Sequence, residues 1–206
     1  MDTEFNIGDI EYDCAIYGPG KRTVIWFQGC TLGCKGCWNT QFQSPEPNRM
    51  VDREELLWTI IDHKNDVTFL GGEPLQQSEN LSWLVHRLRD LGIGFMLYTG
   101  YEMDEIARNA EWSEICDAAD ILIPGRYVET LRDTDLRWRG SSNQRILFKH
   151  GPEEVEEKNE VEIVISPDGS VACMGYPNKS IRDYVVSMDY ADDPRGSGTD
   201  RSGRPS

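Results

Sequence analysis

The sequence predicts an α/β fold: a parallel sheet curved into a partial (β/α) barrel, then a small C-terminal β-rich appendage and a disordered tail. Three observations predict it. Short β-branched and aromatic runs alternate with segments of helical periodicity. The runs end in polar or glycine-rich motifs. Past residue 150 the pattern gives way to a hairpin signal and then to a stretch almost free of apolar residues. Crossovers between parallel strands are right-handed, so the strands form one curved or closed sheet. Parallel α/β proteins place their sites at strand C-termini, where these motifs fall.

The first run is Thr23, Val24, Ile25, Trp26 and Phe27, between Gly18-Pro19-Gly20 and Gly29, and reads as a buried strand between breakers. A cysteine-bearing loop follows, and 44–48, with two prolines, is more loop. Residues 52–62 read as a helix, with Asp52 and Glu55 as a capping-box-like start and Leu56, Leu57, Ile60 and Ile61 as its apolar face. Val67, Thr68, Phe69 and Leu70 form a second buried strand ending in Gly71-Gly72-Glu73-Pro74. Leu81, Leu84, Val85 and Leu88, at i, i+3, i+4 and i+7, mark the next helix. Residues 94–98 are a third strand ending in Thr99-Gly100; 104–117 are helical with a break near Asn109; Ile121, Leu122 and Ile123 are a fourth strand, stopped by Pro124-Gly125.

Residues 153–160 are an acidic connector, and 161–165 and 170–174 flank Pro167-Asp168-Gly169, a hairpin turn signal. Residues 181–188 read as a last strand or helix, and beyond Asp189 the Gly, Ser, Arg, Asp and Pro composition reads as disorder. The organisation expected is a core domain over 1–150, an appendage over 151–188 and a tail over 189–206.

A chain of 206 residues buries a core without staples. Its formal net charge of −15 argues against non-specific binding to nucleic acid or anionic membrane, since phosphate is repelled over most of the surface. The acidic, polar N-terminus has no basic or apolar signal-peptide region, and no apolar run approaches the roughly 20 residues of a membrane span. A cytoplasmic protein with reduced cysteines is expected.

Of six cysteines, Cys30, Cys34 and Cys37 lie in one eight-residue window as CxxxCxxC, whereas Cys14, Cys116 and Cys173 are scattered. Such clustering points to a metal or cluster rather than to a disulfide framework. Three thiolates on one tight loop each bind one iron of a [4Fe-4S] cubane, leaving the fourth iron open to a substrate. The alternative is zinc, which usually takes four ligands. His63, His86 and His150 have no ligand-like spacing; His63, near a helix end, and His86, in an amphipathic helix, read as structural. A fourth ligand would have to come from Cys14, Cys116 or Cys173, which otherwise read as buried small hydrophobes.

CxxxCxxC after a first strand resembles the signature of the radical S-adenosylmethionine superfamily, and Gly71-Gly72-Glu73-Pro74 looks like that superfamily's glycine-rich motif, which contacts the methionine amino group. The physics fits, since glycines let backbone carbonyls approach an ammonium. A nearer resemblance is to the glycyl-radical-enzyme activases, through residues 18–22 and Tyr98-Thr99-Gly100-Tyr101. Trp138-Arg139-Gly140-Ser141-Ser142-Asn143-Gln144-Arg145 is similar to a segment of the activating proteins of anaerobic, class III ribonucleotide reductases. The chain departs from the activases at Pro124-Gly125-Arg126, where related proteins often carry an acidic residue, and in the extension over 153–188.

The resemblance implies a [4Fe-4S] cluster on Cys30, Cys34 and Cys37, and S-adenosylmethionine contacts at Gly36, Cys37, Trp38, Gly71, Gly72, Glu73 and Thr99. Trp38 packs against the cluster or the adenine, or simply within its loop. The implied reaction is reductive cleavage to a 5′-deoxyadenosyl radical. A flavodoxin or ferredoxin supplies the electron, and the radical removes a glycine hydrogen from a large partner such as anaerobic ribonucleotide reductase. Hydrogen-atom abstraction needs no general base, and none is assigned. Two other readings stand beside this one: a stand-alone radical enzyme acting on a small molecule or peptide, and a non-catalytic iron–sulfur or zinc module.

Overall fold

The computed structural model describes residues 3–151, 155–165, 171–181 and 183–184. Among them a seven-stranded sheet carries the fold, in the order β3 (Arg49–Asp52), β1 (Glu4–Cys14), β2 (Arg22–Phe27), β4 (Asp66–Gly71), β5 (Phe95–Thr99), β6 (Ile121–Pro124), β7 (Leu147–Phe148). Its four central strands, β2, β4, β5 and β6, are parallel, as expected from the runs. The flanks correct the all-parallel expectation. β1 runs antiparallel to β2 and to β3, and β7 antiparallel to β6. β3 and β7 are the two edges, so the sheet is mixed, mostly parallel and open.

Strand alternation fills both faces. Ile25, Phe27, Val67, Phe69, Phe95, Leu97 and Leu122 face α1 (Arg53–His63), α2 (Ser78–Asp90) and α4 (Ala110–Ala118), meeting Leu56, Ile60, Leu81, Leu84, Leu88 and Ile115 in one core. A row of rings crosses the strands there, Phe5–Phe27, Phe27–Phe69 and Phe69–Phe95, with centroids 5.6, 5.9 and 5.7 Å apart. Each such pair adds about 0.5–1.5 kcal/mol beyond its burial. The opposite face presents Val24, Trp26, Leu70, Met96, Ile121 and Ile123. It is covered by later chain: Trp138, Val155 and Met174 pack there, and Gly175 N–H donates to the Tyr17 hydroxyl at 2.9 Å.

Helix ends follow local chemistry. Asp52 caps α1 by accepting from Glu54 N–H at 2.8 Å, and the Thr3 hydroxyl donates to its other oxygen at 2.9 Å. The break expected near Asn109 separates α3 (Met103–Ile106) from α4, and Asn109 caps α4 by accepting from Glu111 N–H and Trp112 N–H. His63 stacks on Tyr12, and His86 lies between Ser82 O and Glu114, so both are occupied structurally. Cys14 and Cys116 are buried in the cores, whereas Cys173 is only half-buried.

The hairpin forms from β8 (Val161–Ile165) and β9 (Val171–Gly175), paired antiparallel. Its turn lies outside the described residues, as do 182, 185–188 and the tail from 189; residues 181, 183 and 184 are helical. Among the described residues no helix is long and apolar enough to cross a membrane.

Candidate active site

The C-terminal ends of β2, β4, β5 and β6 open into one cleft, continuous with solvent. Each strand delivers its motif there. β2 leads into the cysteine loop, and Cys30, Cys34 and Cys37 all line the cleft; Cys37 N–H closes a turn onto Cys34 O at 3.2 Å. β4 delivers Gly71, Gly72 and Glu73, and β5 delivers Tyr98, Thr99 and Gly100. Gly125 and Tyr127 follow β6.

The loop is sewn to its surroundings through the main chain. Gly29 N–H donates to Phe42 O at 2.8 Å and Cys30 N–H to Gln43 O at 3.0 Å. Gly72 N–H reaches Phe27 O at 2.7 Å, and Glu73 N–H reaches Gly29 O at 2.9 Å. The glycine pair is what permits this approach. A Cβ on Gly71, whose φ is +107°, would lie 2.6 Å from Phe27 N. On Gly72 it would overlap Gly29 O and stand 2.8 Å from Phe42 O.

Glu73 is 1% exposed and fully partnered. It accepts from Leu75 N–H at 3.0 Å, the Thr99 hydroxyl at 2.9 Å and Gly100 N–H at 2.8 Å. Burial pushes its carboxyl up to about 7, against the three donors. Its bonds thus tie the β4 turn to the end of β5. The Gly71 carbonyl accepts from Asn39 Nδ2 at 3.3 Å.

The segment over 138–145 closes the β6 side. Gln144 accepts from Gly140 N–H at 3.0 Å and donates to Gly125 O at 3.0 Å, while Asn143 donates to Arg126 O at 2.8 Å. Arg126, in the stretch where the chain departs from the activases it resembles, pairs bidentately with Glu105 at 2.6 and 2.9 Å. That bond draws the Glu105 carboxyl down to about 2.

Of the expected site residues, Cys30, Cys34, Cys37, Trp38, Gly71, Gly72, Glu73 and Thr99 share the cleft. Gly36 does not line it and lies against the Glu129 side chain. The Trp38 ring sits 6.0 Å from that of Tyr176 and under the Arg132 guanidinium at 4.9 Å. Gln144 and Tyr98 lay inside segments the sequence had singled out, although neither was given as a site residue. Tyr176 gave no signal, since it reaches the cleft from the far end of the hairpin.

The donor set fits an iron–sulfur cubane. Three half-buried thiols face one cleft. Burial pushes those of Cys30 and Cys34 upward, as expected before any cation draws off their protons. Among the described residues no three His, Cys, Asp or Glu side chains converge on a single-ion position. A cubane does not require that, because each thiolate takes a different iron.

Residues 16–147 match the family model described as 4Fe-4S single cluster domain. The anaerobic ribonucleoside-triphosphate reductase-activating proteins of Salmonella typhimurium and Escherichia coli K12 are each 32% identical over 139 residues, covering 63% of this chain and 89% of theirs. The protein of that name from Enterobacteria phage T4 is 30% identical over 146 residues, 66% of this chain and 89% of its own. A looser likeness joins 47% of this chain to 52% of a QueE chain from Escherichia coli, at a TM-score of 0.40 and 20% identity.

Proposed function

The chain belongs to the anaerobic ribonucleoside-triphosphate reductase-activating proteins, radical S-adenosylmethionine oxidoreductases with a 4Fe-4S single cluster domain, and on that premise we propose that it installs a glycyl radical on an anaerobic ribonucleotide reductase. The observation that carries this reading is the meeting of three thiols with Gly71, Gly72 and Glu73 in one cleft at the ends of parallel strands. The open sheet is read as the partial barrel of this superfamily, and the cytoplasm as its compartment.

Cys30, Cys34 and Cys37 would hold three irons of a [4Fe-4S] cluster. Such a cluster, with S-adenosylmethionine bound, would supply the single electron for reductive cleavage of the sulfonium, the source of the radical chemistry directed at the target glycine. The chain's own part is to bind, orient and exclude water. Gly71 and Gly72 bring the β4 main chain against the cysteine loop, leaving room for the methionine moiety beside it. Glu73 fixes that turn to Thr99 and Gly100. Trp38, Tyr127 and Tyr176 supply aromatic walls. A flavodoxin or ferredoxin is the electron donor in this reading.

The test is anaerobic reconstitution with iron and sulfide, reduction, and assay of 5′-deoxyadenosine. Production that is lost in Cys34→Ala supports the chemistry, and a glycyl radical signal on the coexpressed reductase supports the partner. A well-formed cluster that yields neither product, with the reductase present, rejects the proposal. One observation favours a second reading, a stand-alone enzyme for a small molecule or peptide: Tyr176, beyond the family match, lines the cleft. A new product in cell extract lacking the reductase would favour it.

A further inference from the structure

The cysteine loop is held differently along its length. Cys30 N–H is bonded to Gln43 O, and residues 34–37 close their own turn, Cys37 N–H onto Cys34 O. Between them Thr31 and Gly33 are exposed, and a Cβ on Gly33, whose φ is +62°, would meet nothing within 4 Å. Gln76 ties this span down. It lies in the short 3₁₀ turn Pro74–Gln77 that follows Glu73, and its Oε1 accepts from Thr31 N–H at 3.2 Å. Its Nε2 donates to the Thr31 hydroxyl at 2.8 Å and to the Tyr101 hydroxyl at 3.1 Å.

An amide suits that place. A main-chain N–H can only donate, so Thr31 fixes which end of the Gln76 amide faces it and sends Nε2 to the two hydroxyl oxygens. Tyr101 is itself anchored: its ring lies 4.2 Å from that of Trp112 on α4, and its carbonyl accepts from Gly125 N–H at 3.1 Å. Gln76 N–H donates to Glu73 O at 3.1 Å, so the side chain stands on the β4 turn. Beside it Leu32 lies over Gly100, where a Cβ would overlap the leucine side chain. The next residue, Gln77, uses its amide elsewhere. It accepts from Asn6 N–H at 2.8 Å and donates to Asn6 O and Gln28 O at 2.9 and 3.0 Å, binding β1 to the end of β2. Gln76 is not among the residues that line the cleft, so it acts on the site through the loop alone.

We propose that Gln76 is a positioning residue that sets the span between Cys30 and Cys34, and so the separation of those two thiols, before a cluster is assembled. The inference rests on the functional reading above, in which the two thiols take two irons of one cubane. Without the clamp the exposed span samples other backbone conformations, and the conformational entropy of fixing it again weakens cluster retention. Outer partners of metal ligands commonly govern metal affinity by about 10–100-fold.

The experiment compares wild type with Gln76→Leu, Gln76→Glu and Gln77→Leu, each as full-length protein. It reads Thr31 amide exchange and the thermal midpoint in the cluster-free form, and the rate of iron release to a chelator in the reconstituted form. Gln76→Leu is expected to speed Thr31 exchange and iron release by about tenfold or more, with a midpoint within a few degrees of wild type. Gln76→Glu is expected to stay within about threefold of wild type in both rates, since Thr31 N–H and both hydroxyls can donate to a carboxylate. Gln77→Leu is expected to lower the midpoint and leave both rates near wild type. The proposal is overturned if Gln76→Leu releases iron at the wild-type rate from a normally formed cluster, or if Gln76→Glu releases it as fast as Gln76→Leu. It is also overturned if Gln77→Leu matches Gln76→Leu in iron release, which would make retention a matter of general stability. Wild-type protein that takes up no cluster on reconstitution rejects the functional reading itself, and this inference with it.

Discussion

Replacing Gly72 by alanine tests whether main-chain contact between the ends of β2 and β4 builds the site. The added methyl would overlap Gly29 O and lie 2.8 Å from Phe42 O, both backbone atoms that no rotamer change can remove. Overpacking of this kind costs about 1–3 kcal/mol. Relief by separation stretches two bonds, Gly72 N–H to Phe27 O at 2.7 Å and Glu73 N–H to Gly29 O at 2.9 Å. At about 1 kcal/mol each, these bring the total to roughly 3–5 kcal/mol, a large part of the 5–15 kcal/mol typical of whole domains. For a chain of this size the midpoint should fall by roughly 6–20 °C. The assay is thermal unfolding of cluster-free protein, with Gly20→Ala as reference. Gly20, unlike Gly72, has a positive φ, +72°, and a Cβ added there would meet nothing within 4 Å, so its cost is the left-handed conformation alone, about 1–2 kcal/mol. A midpoint for Gly72→Ala no lower than that of Gly20→Ala would refute the reasoning.

Glu73 should make stability depend on pH. Its folded-state carboxyl sits near 7 against an ordinary 4.5, so between those values the folded chain keeps a proton that the unfolded chain has released. Its contribution is full below about 4.5, is lost as pH rises toward 7, and amounts to about 3 kcal/mol. Glu73→Gln should remove that slope in denaturant titrations run from pH 5 to 8; a wild-type profile in the variant would count against the assignment. The same variant must set an amide N–H₂ against a protein donor, since Leu75, Thr99 and Gly100 all donate to Glu73, and should cost about 1–3 kcal/mol near neutrality. Gln144→Ala removes the ties to Gly125 O and Gly140 N–H and should raise amide exchange over 138–145 while leaving α2 protected; unchanged exchange would mean the loop is held otherwise.

The four central strands were legible because their runs are apolar on both faces and bounded by breakers. The break at Asn109 was legible because an Asn before an apolar-periodic stretch is an N-cap. β1 escaped notice for a physical reason. Its pairing with β2 shifts register between Ile7 and Asp9 and again between Glu11 and Cys14, so strict alternation never lasts long enough to be seen through the acidic residues. β3 and β7 are short edges, and their pairing is decided by neighbours distant in sequence. At the candidate site, the cysteines and the glycine pair announced themselves by spacing. The role of Glu73 as a strut did not, because a carboxylate beside an expected ammonium suggests a charge contact until its three donors are located. Tyr176 could not be foreseen, since its arrival depends on how the hairpin covers the sheet.

The cysteine loop and the β4 turn are joined by amide–carbonyl bonds from Gly29, Cys30, Gly72 and Glu73. Such a junction asks little of side chains: Phe27, Phe42 and Gln43 contribute only carbonyls to it. Sequence drift at Gln43 can therefore proceed without dismantling the loop, provided the glycines stay, whereas Phe27 and Phe42 are held by the packing of their rings. The junction also exists before any iron arrives. Those four amides should resist deuterium in the apoprotein, so that cluster assembly inherits a shaped receptacle instead of creating one.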